Sequence, residues 1–428
     1  MDVENATIDA RTISHRLLDA YLTSGPGGAI RYAAYLGGRF TALIWSGDQL
    51  LVVPDAVASM PTYWARIQAG VVLSSWSHLV AEVAQSQVNE GLLRLIRHAR
   101  ETGGMSTIFA PGIETPFLDV YPLLPNHLLV WEEARPDTVR HERFYPWPYG
   151  TVEKPSSDPY ATFAEVFSEH TRLLCRFGQV GISLTAGLDS NATLAAAWPW
   201  LDADSFAWTY HRFDPPDAGM QRDLIAANRK AVGLGLPHRV LDLPEPRTRE
   251  FVEGYRRSLG VAPQFRRLSA AYFEQLPHGI VELQSMVAEV GTGFYKRRMA
   301  TEPAAEVLAR IYANSDFGTL PEIVEAHERF IDYAGFDRDG LGEADLYDLF
   351  YWESRAGRWG TLRMQECDLS HRLLLPFNQR RLIEALQAQP FEQRVEKLAL
   401  RQYVQERPLT PREPSRTRTV TSRFVRPA

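Results

Sequence analysis

The stretch Val180 to Leu194, VGISLTAGLDSNATL, constrains this chain more than any other, because a strand, a turn of small residues, an acid and a helix follow one another without a gap. Val180, Ile182 and Leu184 are apolar at period two, which predicts a strand, and the alanine-rich run Asn191 to Trp198 predicts a helix. Thr185, Ala186, Gly187, Leu188, Asp189 and Ser190 lie between them. Small residues let backbone N–H groups approach an anion, and the following helix points its positive end at the same place, so the turn suits phosphate. Asp189 would repel a bare phosphate, a conflict that disappears when Mg2+ sits between the two. The plainer alternative is a strand-to-helix turn in which Asp189 or Ser190 caps the helix. No G-x-x-x-x-G-K-[ST] run occurs, so the loop is not a Walker motif.

With 428 residues, 45% of them hydrophobic and 11% aromatic, the chain can fill two packed cores. Its formal charge of -6 gives no general attraction to nucleic acid or anionic membranes. The exception is Leu409 to Ala428, where five arginines face one acid, Glu413, among prolines and hydroxyl residues; this basic stretch reads as a disordered or loosely docked tail. The start, MDVENATIDA, has neither a basic opening nor an apolar run, and no window approaches a membrane span, so the expected location is the cytoplasm. Cys175 and Cys367 stand alone, outside any CxxC or Cys/His cluster, which disfavours disulfide and metal roles.

The segment Thr185 to Asn191, TAGLDSN, resembles the SGGLDSS pyrophosphate loop of the asparagine synthetase family, with Thr185 and Ala186 standing where that pattern has its first Ser and first Gly. The resemblance implies a PP-loop enzyme that splits ATP into AMP and pyrophosphate to activate a carboxylate. Three phrases in the first half resemble the glutamine amidohydrolase domain of that family: GGRFTALIW at Gly37 to Trp45, VVPDAVASMPTYW at Val52 to Trp64, and TPFLDVYPLLPNHLLV at Thr115 to Val130. That amidase uses an N-terminal cysteine exposed by removal of the initiator Met. Here Asp2 stands at that place, so no thiolate attacks glutamine and no glutaminase activity is expected.

Residues 1–150 accordingly read as a degenerate, β-rich Ntn-type domain, with strands at Phe40 to Trp45, Leu50 to Val53, Val71 to Ser74 and Leu128 to Glu132. The safer role for it is a structural remnant, the alternative a remodelled recognition surface. Residues 151–408 read as an asparagine synthetase-like ATP-binding domain and 409–428 as the tail. In the second domain, strand Ser205 to Tyr210, helix Gln221 to Val232 and strand His238 to Leu243 predict an α/β fold: a parallel sheet with crossover helices and the nucleotide at the carboxyl ends of the strands. The resemblance implies backbone contacts to adenine from Ala207 to Thr209, and matches Asp223 and His238 to frequent family residues. Trp208 and Tyr210 read as core or wall.

The family's second acidic loop has two registers here. Aligning the glycines of GTG places Tyr295 and Lys296 where acids belong, whereas aligning SMVAEVG places Glu289 as the second carboxylate, the register adopted. Lys296, Arg297 and Arg298 form a cationic cluster that either neutralises leaving pyrophosphate or faces solvent. DLFYWESRAGRWG at Asp348 to Gly360 and LPFNQRRLIEAL at Leu375 to Leu386 resemble a variant branch that includes β-lactam synthetases and lasso-peptide cyclases. A helix there would line Tyr351, Arg355 and Arg358 along one side. Glu353 is a candidate to orient or deprotonate the attacking amine, with an ion pair to Arg355 or Arg358 as the commoner fate. Lys397, followed by Leu400 and Arg401, resembles the K-x-x-L-R phrase whose lysine stabilises the activated acyl centre.

The expected activity is an amide- or lactam-forming ligation dependent on ATP and Mg2+. Asp189 and Glu289 would hold the metal, residues 185–190 would cradle pyrophosphate, and small-molecule or peptide carboxylates and amines would be the partners. Other AMP-forming PP-loop transfers, and a non-catalytic nucleotide or partner binder, are the alternatives; the net negative charge argues against an RNA substrate.

Overall fold

The computed structural model describes residues 1–68, 70–103, 109–147, 158–213, 215–243, 245–259, 264–296, 298, 300–313 and 316–412. The first half carries β1 (Thr41–Trp45), β2 (Gln49–Pro54), β3 (Tyr63–Ile67), β4 (Gly70–Ser74), β5 (Tyr121–Pro122), β6 (His127–Glu132) and β7 (Val139–Arg143). They form two antiparallel sheets, ordered β1-β2-β6-β7 and β4-β3-β5. Alternation along the strands determines the layering. Leu51, Val53, Leu128 and Val130 meet helix Ala10–Ala34 through Leu17, Ile30 and Ala33, while Val52, Leu129 and Val139 meet Trp64 and Leu73 of the second sheet. On the far side of that sheet, Ala65 and Val72 pack on Val80 and Ala81 of helix Ser77–Ala84, so the layer order is α–β–β–α.

This half is therefore mixed rather than mainly β. The four expected strands correspond to β1, β2, β4 and β6, but helices Ala10–Ala34 and Glu90–Thr102 were not anticipated. The first contains the helix-breaking run SGPGG, and its backbone kinks at Gly25, which takes a φ of 66°. Asp9 caps its start by accepting from Thr12 N.

The second half is built on β8 (Val180–Ser183), β9 (Phe206–His211), β10 (His238–Asp242), β11 (Val281–Leu283) and β12 (Arg372–Leu374). Every pairing is parallel and the order is β10-β9-β8-β11-β12. Val180, Ile182 and Ala207 face helices Leu188–Ala197 and Ala218–Gly233 through Leu194, Ala227 and Ala231. The opposite face carries Trp208 against Tyr272 of helix Arg266–Gln275. A Cβ on Gly181 would lie 2.2 Å from the Trp208 ring, so the glycine lets the indole lie flat on β8.

The two halves share one core: Ala56, Val57, Phe109 and Leu124 cluster with Phe163, Trp352 and Phe377. Residues 148–157, where the expected boundary falls, lie outside the described residues, as do 413–428 of the tail. The start of the tail is docked, with Arg412 N donating to Leu234 O and its guanidinium 4.9 Å from the Trp198 ring. Among the described residues no helix is long and apolar enough to cross a membrane.

Candidate active site

From β8 the chain runs outward through β9 to β10, then returns to place β11 on the other side of β8. At such a reversal the two connections leave the sheet in opposite directions, and a crevice opens at the carboxyl ends of the flanking strands. The segments lining it here are Leu184–Ser190 after β8 and Gln284–Gly291 after β11.

The first segment is tied down by its own small polar residues. Thr185 N donates to Ser190 Oγ at 3.2 Å, Gly187 N to Thr185 Oγ1 at 3.0 Å, and Ala186 N to the Asp223 carboxylate at 3.0 Å. Helix Leu188–Ala197 begins at once, and no side chain caps its N-terminus, so its first amides point outward uncapped. Ala186 is not among the residues of positive φ and Gly187 has a φ of -65°, so neither position demands glycine for its backbone. A Cβ at Ala186 is therefore tolerated without strain.

The second segment departs from ordinary geometry. Val287 is a buried β-branched residue at φ 90°, ψ -23°, directly before the short helix Ala288–Gly291. Such a conformation costs roughly 1–3 kcal/mol and persists only where the surroundings impose it. It turns Glu289 toward the first segment. Glu289 Oε2 is shielded from solvent and has no hydrogen-bond partner among the described residues. Burial first, and the charge of Asp189 second, hold the Glu289 carboxyl above the usual carboxylate range.

Lys397 closes the group from a third direction. It has a φ of 55° immediately before helix Leu398–Glu406, and its Nζ donates to both Asp189 oxygens, at 2.8 and 2.5 Å. Tyr351 completes the wall: burial and then the Glu289 charge push its hydroxyl well above the ordinary tyrosine value. Arg355 lies 4.9 Å from the Phe294 ring and 5.3 Å from the Trp359 ring, and its charge opposes the rise that burial gives the Tyr295 hydroxyl.

The fold thus brings together Thr185 to Ser190, Glu289 and Lys397. It does not bring in Glu353 or Ala207. Glu353 is fully buried and paired with Arg143 of β7, at 2.5 and 2.7 Å, rather than with Arg355 or Arg358. The reason is local geometry: residues Tyr351–Gly360 form a π-helix, flanked by α-helices Leu346–Phe350 and Thr361–Cys367. Closure from i to i+5 widens each turn, so residues four apart stay on one face while residues seven apart fall on opposite faces. Tyr351 and Arg355 accordingly face the crevice, whereas Arg358 turns to the first half and donates to Glu114 O. The α-helical spacing had placed all three on one side.

Ala207 lies within the ladder, opposite Ile182 on one side and His238 on the other, with its N–H donating to Pro237 O at 2.8 Å. Its backbone is consumed by the sheet and is not available to a base. Asp223 restrains the loop, and His238 is held by Thr209 Oγ1 and Asn228 Oδ1 at 3.0 and 3.1 Å. Of the cationic cluster, Arg298 is committed to Asp345 and Asp348, and Arg297 lies outside the described residues. Gly181 and Val287 were not singled out from sequence; a lone glycine in a strand signals close approach and was the readable clue for Gly181.

The two carboxylates suit a divalent cation. Among the described residues no three of His, Cys, Asp or Glu converge, so a cation at Asp189 and Glu289 would complete its shell with phosphate oxygens and water, the usual situation for Mg2+. The unpartnered Glu289 oxygen and the mutual repulsion of the pair are both relieved by a positive charge between them.

No family model matches the chain, and no curated protein matches it. Among solved structures, a glutamine-dependent NAD+ synthetase from Acinetobacter baumannii, in complex with adenosine diphosphate, is similar at a TM-score of 0.21 and 12% identity, over 77% of this chain and 85% of that chain. A likeness of that depth carries no argument about this chain.

Proposed function

We propose that the chain is an AMP-forming ligase of the asparagine synthetase type, which uses ATP to join a carboxylate to an amine or ammonia. The observation that carries the reading is the convergence of Asp189, Glu289 and Lys397, from three distant segments, on the crevice beside an uncapped helix N-terminus. A substrate carboxylate attacks the α-phosphorus of ATP and pyrophosphate leaves; an amine then displaces AMP, giving the amide and releasing a proton. The amides that open helix Leu188–Ala197, with Thr185 and Ser190, hold the departing pyrophosphate. Asp189 and Glu289 would hold Mg2+, which when bound neutralises phosphate charge. Lys397, drawn from Asp189 once that carboxylate has another partner, supplies a mobile charge for the oxyanion of the acyl centre.

The first half is the remnant of an Ntn-type glutaminase in this reading. Its α–β–β–α layering supports this, and so does Asp2, whose buried carboxylate is bound by Tyr32 and Arg16 at 2.8 Å each instead of serving as a nucleophile. The nitrogen then comes from an amine substrate or free ammonia. One observation favours a second reading, a nucleotide binder without turnover: Lys397 occupies both oxygens of Asp189. Phosphorus NMR of ATP incubated with the protein, Mg2+ and pooled acids and amines separates the two. AMP and pyrophosphate appearing together, and absent with Asp189→Ala, support the ligase; unchanged ATP with intact nucleotide binding supports the binder.

A further inference from the structure

Asn126 of the phrase LPN, Trp352 and Glu353 of WESR, and Asn378 of PFN meet at the seam between the halves rather than at the crevice. Arg143 Nη1 and Nη2 each donate to one Glu353 oxygen, and Asn126 Nδ2 donates to Glu353 Oε1 at 3.0 Å. Asn126 takes a φ of 68°, and its Oδ1 accepts from Arg380 Nη1 at 2.7 Å. The Arg380 guanidinium lies 4.5 Å from the Tyr145 ring and 5.1 Å from the Trp352 ring. Trp352 Nε1 donates to Ala56 O at 2.6 Å, and Asn378 Nδ2 donates to Gly38 O and Asp55 Oδ1 at 2.9 and 2.8 Å. Glu353 has no exposed surface, so every partner it has comes from the fold.

Of these contacts, those of Arg143 and Asn126 to Glu353 and those of Ala56 and Arg380 to Trp352 hold two neighbouring residues of the π-helix, while Asn378 ties the halves together beside them. A π-helix of ten residues is unusual, and such segments persist where surrounding contacts hold them. Relaxation to α geometry would bring Tyr351, Arg355 and Arg358 onto one face and turn the crevice side chains by a fraction of a turn. The bidentate fork of Arg143 resists that rotation as a single point charge does not, because two parallel hydrogen bonds define a plane.

We infer that Arg143, on the last strand of the first half, is a positioning residue: through Glu353 it sets the rotation of the π-helix and so presents Tyr351 and Arg355 to the crevice. The first half is then a working part of the site without touching substrate. The inference rests on the proposed ligase for its consequence in turnover, but its structural core does not.

The test compares the parent with Arg143→Lys and with the double variant Arg143→Met, Glu353→Leu. The double variant guards against misfolding, since a buried ion pair replaced by apolar residues of similar volume is often neutral in stability. Hydrogen exchange of the amides of residues 351–360, ATP affinity and acid-dependent pyrophosphate exchange are measured together, with circular dichroism confirming the fold. Expected in both variants are faster amide exchange confined to 351–360, unchanged ATP affinity, and a fall of at least tenfold in kcat with KM for ATP within twofold. Unchanged amide exchange in the folded double variant overturns the inference, as does faster exchange with kcat intact. No pyrophosphate exchange in the parent, alongside faster amide exchange in the variants, overturns the ligase reading and leaves the coupling of Arg143 to the π-helix supported.

Discussion

Replacing Glu289 by methionine is expected to stabilise the ligand-free protein while removing its response to Mg·ATP. The carboxyl carries an unpartnered, solvent-shielded oxygen and faces the charge of Asp189, and together burial and Asp189 outweigh the attraction of Lys397 and Arg355. A buried unsatisfied polar group costs about 1–3 kcal/mol, and methionine fills much the same volume without it. The expected gain at pH 7.5 is therefore about 1–3 kcal/mol. The pH dependence follows from the sign of the shift. Because the folded carboxyl titrates above its ordinary value of 4.5, the folded state retains a proton that the unfolded chain has released, so stability falls as pH rises through that window. The advantage of Glu289→Met should thus be larger at pH 7.5 than at pH 4.5. Saturating Mg·ATP, at a hundred times its Kd, should add about 2.7 kcal/mol to the parent and little to the variant. Urea midpoints with and without ligand at both pH values measure all of this. A variant less stable than the parent by 1 kcal/mol or more without ligand, or stabilised equally by Mg·ATP, would refute the reasoning.

Gly181→Ala should lose about 2–3 kcal/mol, since the new Cβ lies 2.2 Å from the fully buried Trp208 ring; an unchanged urea midpoint would contradict the close packing described. Burial pushes the Glu384 carboxyl up to about 7 from 4.5, so its contribution to stability declines as pH rises between those values. Glu384→Gln should therefore gain about 3 kcal/mol on the parent between pH 4.5 and pH 8, and parallel pH profiles would exclude it. Lys397→Met should retain ATP binding and lower amide formation by about 10²–10³, and amide yield at the parental rate would remove Lys397 from the acyl-transfer step.

The strand, loop and helix around Asp189 were legible because they are contiguous: period-two apolar residues, small turn residues and an alanine-rich run are local signals. Glu289 and Lys397 were legible only through resemblance, since nothing in spacing announces that Lys397 meets an acid 208 residues away. Glu289 lies where it feels the charge of Asp189, and Tyr295 lies beside Arg355. Glu353 was misplaced for two physical reasons. Its partner Arg143 is 210 residues earlier, and the π-helix changes which neighbours share a face. Ala207 was misplaced because a strand seen in sequence does not show how far its ladder extends; β9 runs on to His211, and pairing on both edges consumes the backbone at Ala207. Helix Ala10–Ala34 was hidden by SGPGG, where tertiary packing on the first sheet overrides poor local propensity.

The central claim is that Asp189 and Glu289 serve one adenylation site, and exchange of radiolabelled pyrophosphate into ATP, with pooled candidate carboxylates, tests it most directly. The account predicts exchange that depends on a particular acid and on Mg2+, and that disappears in both Asp189→Ala and Glu289→Ala. Exchange that survives in either folded variant, or its absence from the parent with every acid while nucleotide still binds, would contradict it.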